Sequence, residues 1–196
     1  MLPVIGGCET VLGPLSSPPT FASAEQFNVQ NSVASTVIVH RNVKLRGNVE
    51  TMGSCLLFRD SLFRGDVAKI SLQNCVVVEE NVLVKPPLRC VMGRPADACS
   101  VSIGTFSLIG KRVVSEAVSI GAFVVIESDC CLGALVVVGH GAWLKKGCVV
   151  PPHTVLEPFY IYEGNPARPT QRLCEDSHPL EVKELIVQYF QSVVIG

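Results

Sequence analysis

The chain holds 196 residues, enough for one domain, of which 48% are hydrophobic and 17% charged, with a formal net charge of −1. A chain this apolar excludes wholesale disorder, and so small a net charge excludes a nucleic-acid-binding role resting on charge alone. No apolar run reaches the roughly 18 to 20 residues that span a bilayer, so no membrane insertion is expected.

Residues 1–35 carry Gly6-Gly7, Gly13-Pro14 and Ser16-Ser17-Pro18-Pro19, which predicts an irregular arm. The first five residues lack a basic segment and do not read as a signal peptide. Residues 1–40 contain two glutamates and no lysine or arginine, which argues against organelle import.

From 36 to 163 the chain is a repeat with a period of six. An aliphatic residue recurs at Ile120, Ile126, Leu132, Val138, Leu144, Val150 and Leu156. A small or β-branched residue follows four positions later, at Val124, Cys130, Val136, Ala142, Cys148 and Thr154. The same frame runs upstream through Ile103 and Ile109, through Leu72, Val78 and Val84, and through Val39 and Leu45. Each hexapeptide makes one face of a triangular prism, and three make a coil stacked at strand spacing. The expected fold is all-β: a left-handed parallel β-helix of about six coils with a C-terminal α-helix. Residues 86–98, with Pro86-Pro87 and Met92-Gly93-Arg94-Pro95, break the frame and should form an extruded loop. Residues 164–196 form a C-terminal segment. Within it Leu180, Val182, Leu185, Ile186, Tyr189 and Phe190 fall at helical spacing, which predicts an amphipathic helix over 179–192.

The residue before each inward aliphatic points outward. Val125, Cys131, Val137, Trp143, Val149 and Val155 occupy that place in succession, and one helix covers only one face of three. Unpartnered apolar faces are aggregation liabilities, so the chain should not be a monomer, and Val125, Val137 and Trp143 are candidate interface residues. The nine cysteines form no Cys-x-x-Cys pair, and they are expected as buried apolar fillers in a reducing compartment, Cys130 stacking on Cys148. In Phe63-Arg64-Gly65-Asp66-Val67, Arg64 and Asp66 can form an Arg–carboxylate pair that locks a corner or bridges subunits.

Arg64-Gly65-Asp66, the Leu72, Val78 and Val84 frame, Ile103-Gly104, Ile109-Gly110, a following coil one residue short and the Gly164-Asn165-Pro166-Ala167 ending resemble the gamma-class carbonic anhydrase-like family. That resemblance implies zinc held between subunits by three histidines, and those positions fall here on Lys85, Lys111 and Glu116. Two ammonium groups and a carboxylate make no histidine zinc site, so no cofactor and no metal are expected. They could instead form an ion-paired seam between neighbouring chains. Val138-Gly139-His140 mimics the family's metal-binding tripeptide, but it sits later in the repeat and reads as a solvent-facing corner.

From Cys55 to Pro87, with Arg59-Asp60, the Arg-Gly-Asp block and Val84-Lys85-Pro86-Pro87, and again through Val150-Pro151-Pro152-His153, the chain resembles the smaller β-helix subunits of dynactin's pointed-end complex. The resemblance implies a non-enzymatic scaffold in the cytoplasm and cytoskeleton. Its partners would be a second β-helix subunit, an actin-related protein and dynein adaptors, in microtubule-based transport. The rival class is an enzyme, a gamma-type carbonic anhydrase homologue or hexapeptide acyltransferase working as a homotrimer. A catalytically dead homotrimer serving as an assembly factor is a third reading.

Overall fold

The computed structural model describes residues 37–90 and 97–195. The arm read over 1–35 and the centre of the 86–98 loop lie outside the described residues.

Short parallel strands stack in register to form a three-faced β-helix. On the first face seven rungs follow one another, Ile38–Val39, Cys55–Leu57, Val76–Val78, Leu108–Ile109, Val125–Ile126, Trp143–Leu144 and Tyr160–Glu163. The second face runs through Leu45, Phe63, Val84, Ser115, Leu132 and Val150, and the third through Thr51, Leu72, Ile103, Ile120, Val138 and Leu156. The coil count therefore lies between six and seven. Side chains alternate along each strand, so the second residue of each pair enters the prism and the first faces out. The inward residues make one continuous core, from Val39 through Phe63, Ile103 and Leu144 to Tyr162. Each buried Val, Leu or Ile contributes about 1.5–3 kcal/mol relative to exposure.

Departures from the 18-residue coil are visible in the register. Val124 to Ala142 keeps 18, whereas Ile103 pairs with Ile120 and Ile109 with Ile126, both 17 apart. Between Gly47↔Gly65 and Val49↔Ile70 the partner strand runs five residues against two, so residues 66–69 stand opposite Asn48 alone in a bulge with three extra residues. Leu72 and Ile103 pair across 31 residues, and the surplus holds the insertion. Its base is a two-residue antiparallel ribbon, Leu88–Arg89 against Asp97–Ala98.

Corners are tight. Among the described residues ten non-glycine residues, including Asp60, Phe106, Arg112, Phe123 and Asp129, have positive φ. Such a residue costs about 1–2 kcal/mol, which the hydrogen bonds between stacked corners offset, as in Asp129 N to the Lys111 carbonyl at 2.8 Å. At the far end Arg168–Arg172 turns back antiparallel onto Tyr160–Glu163 and closes that edge of the first face.

The helix α1 spans His178–Ile195. Its first-turn amides at Leu180 and Glu181 donate to the Ser177 carbonyl at 3.0 and 3.1 Å. It lies on the first face, where Val182, Ile186 and Val193 bury against Leu56, Val77, Leu108 and Val125.

Cys8 lies outside the described residues; the eight described cysteines divide into classes, which corrects the expectation of uniform fillers. Cys55, Cys130 and Cys148 are buried, Cys75 and Cys99 half-buried, and Cys90, Cys131 and Cys174 exposed. The reason is parity: Cys130 points into the prism beside Cys148, and its neighbour Cys131 must point out.

Candidate interaction surfaces

The Arg-Gly-Asp block sits on the second face at the start of the bulge. Arg64 Nε and Nη2 donate to the two carboxylate oxygens of Asp66 at 3.0 and 2.9 Å. This bidentate pairing holds the Asp66 carboxyl below the usual carboxylate range. Gly65 between them is required by close approach, because a Cβ there would lie 2.5 Å from the Asn48 carbonyl oxygen. The Arg64–Asp66 fork is thus satisfied within one strand.

The positions carried over from the histidine triad are also paired within the chain. Lys85 Nζ lies 3.1 Å from Glu116 Oε1, on adjacent rungs of the second face. Lys111 Nζ lies 3.8 Å from Glu80 Oε2, and Arg59 holds the other oxygen of Glu80 at 2.9 Å. Among the described residues no group of three or more His, Cys, Asp or Glu side chains could hold a metal ion. His140 sits exposed at a corner, where its Nδ1 accepts the Ala122 amide at 2.9 Å.

The apolar outward positions divide by face. Val125 is 3% exposed and Trp143 half-buried, both beneath α1. These two candidates therefore meet the chain's own helix, because the first face is the one that α1 covers. Trp143 is further fixed by Glu127, whose Oε1 accepts its Nε1–H at 2.8 Å, and by Lys145 Nζ at 4.2 Å from the ring. Burial would raise the Glu127 carboxyl, but hydrogen bonds from Trp143, Lys145 and the Lys146 amide outweigh it and hold the group below its ordinary value.

On the second face the outward row is Leu62, Leu83, Val114, Cys131 and Val149. Val114 and Cys131 are exposed and the other three half-buried, so an apolar stripe crosses five rungs without cover from α1. Sequence reasoning placed Cys131 and Val149 outward but passed over Leu83 and Val114. The parity rule applied one coil earlier finds both. The third face is polar at Ser71, Ser102 and Ser119 and turns apolar at half-buried Val137 and at Val155, 70% exposed. A groove of about 430 Å³ also opens where Ser54, Cys75 and Phe106 meet Ile186 and Phe190 of α1.

Set against known proteins, the chain matches the family model described as Dynactin subunit 5 over residues 24–195. No curated protein sequence matches it. A hexapeptide transferase family protein from Anaplasma phagocytophilum is similar in structure, with a TM-score of 0.70 at 19% identity over 83% of this chain and 90% of that one. The N-acyltransferase AntD from Bacillus cereus, in a variant solved with dTDP and coenzyme A, gives a TM-score of 0.66 at 15% identity over 85% of this chain and 98% of that one. At such identities these structures bear on the fold alone.

Proposed function

The chain belongs to the dynactin subunit 5 family, and from that premise we propose that it is a non-enzymatic scaffold subunit of dynactin's pointed-end complex. The observation that carries the reading is the pairing of Lys85 with Glu116 and of Lys111 with Glu80. Where a gamma-class enzyme would place metal-binding histidines, this chain has ammonium and carboxylate groups that neutralise one another across stacked rungs.

Function on this reading is display. A prism hydrogen-bonded along its length is stiff, and it holds the second-face stripe, the third-face valines and the ribbon Leu88–Arg89 with Asp97–Ala98 at fixed spacings. The second β-helix subunit and the actin-related protein are the proposed occupants of those apolar rows, and dynein adaptors engage the assembled end. The proposed location is the cytoplasm and its cytoskeleton. Among the described residues no helix is long and apolar enough to cross a membrane.

Metal content and solution mass test this directly. The purified chain should carry no stoichiometric zinc and should not run as a homotrimer of three times 21.0 kDa. A zinc-loaded trimer would restore the enzyme reading.

A further inference from the structure

His178 opens α1 and is 1% exposed, and neither ring nitrogen makes a well-formed hydrogen bond, the Phe123 carbonyl offering only a weak one. Its ring lies 5.8 Å from that of Trp143, tilted by 34°. A buried imidazole in such a place is stable while neutral. Once charged, it would lose hydration and lie at the positive end of the helix dipole.

The charged groups around it are few. On α1 Glu181 favours the cation, and Lys183 lies 5.6 and 5.5 Å from the Phe106 and Phe123 rings. On the turn before α1, Glu175 is bound to Arg172 at 2.8 Å and Asp176 is exposed. On the β-helix the Phe123 carbonyl favours the cation. Beyond the Trp143 ring, Glu127 and Lys145 pair with each other at 3.1 Å. Burial outweighs Glu181 and the Phe123 carbonyl, so the imidazole is held below the ordinary histidine value of 6.5.

We propose that His178 is a pH-sensitive latch: neutral, it keeps the first turn of α1 on the β-helix, and protonated, it lifts that turn from Trp143 and Val125. The direction follows from linkage. A histidine depressed in the folded state binds its proton more readily once released, so the closed state loses stability as pH falls below 6.5. Each unit of pH below that value shifts the balance toward release by up to about tenfold, until the folded group titrates as well. Acidification would thereby bare outward residues of the first face that α1 otherwise covers, adding to the exposed stripe of the second.

Trp143 is the chain's one tryptophan, so its emission reports the latch. Titrating the intact protein from about pH 7.5 to about pH 5.0 should quench and red-shift that emission, with a midpoint below 6.5, while the far-ultraviolet signal of the β-helix persists. His178→Phe should abolish the transition, and His140→Asn should keep it. Glu127, held low by its hydrogen bonds, stays ionised through this window. Emission flat with pH in the wild type, or an equal transition in His178→Phe, overturns the latch. Hydrogen exchange needs no variant. The amides of Glu181 and Val182 should open about tenfold more often one pH unit below the midpoint, after correction for intrinsic rates. Unchanged opening overturns the proposal equally.

Discussion

Parity decides the fate of individual residues here. Cys130 and Cys131 are adjacent in sequence, yet burial pushes the Cys130 thiol up to about 12 and the Cys131 thiol is exposed. Cys55 and Cys148 are likewise pushed up to about 11 by burial. A neutral iodoacetamide pulse on the native protein should therefore modify Cys90, Cys131 and Cys174 and spare Cys55, Cys130 and Cys148, as read by peptide mass spectrometry. At Cys174, hydrogen bonds from the Ser177 and Asp176 amides lower the thiol, so it should react first. Glycines separate in the same way. Gly65→Ala would press a methyl group on the backbone at Asn48 and should cost about 2–3 kcal/mol in denaturant unfolding. Gly147→Ala meets no atom within 4 Å and keeps only the strain of φ +72°, so it should cost about 1 kcal/mol.

Among the elements, α1 changes the meaning of the outward valines. The six-residue frame, the inward core and the 17-residue coil were all readable in the sequence, because each depends on spacing along the chain. Which face the helix would cover was not, since that follows from where the turn after Arg168–Arg172 delivers the chain. Val125 and Trp143 therefore read as partner surface in sequence and as helix bed in the structure. The bulge after Gly65 was missed too, although Phe63 and Leu72 stand nine residues apart where the frame expects six. Two substitutions separate the roles. Val125→Glu buries a charge under α1 and should cost more than about 3 kcal/mol, seen as a large fall in Tm. Val114→Glu, on the uncovered second face, should leave Tm within a few degrees and weaken association with the partner subunits in a pull-down. Unchanged association would remove that stripe from the interface. The Lys85–Glu116 pair is only half-buried and open to solvent, so Lys85→Ala should move stability by less than about 1 kcal/mol.

At the scale of the molecule, the account joins a stiff prism to surfaces that it cannot cover itself. Its own helix shields one face, a returning strand closes one end, and the apolar second face remains. The candidate site was partly legible. The missing histidines were plain in the sequence, whereas the closure of their replacements into pairs within the chain needed the coil register. The fold alone is shared with acyltransferases, so architecture does not choose the function. The family match and the neutralised positions support the scaffold reading.

Affinity purification of the tagged protein from its own cells, with mass spectrometry of stoichiometric partners, tests the central claim most directly. The account predicts recovery of an actin-related filament, the other pointed-end subunits and dynein. Recovery of the chain alone, at the mass of a homotrimer, would contradict it.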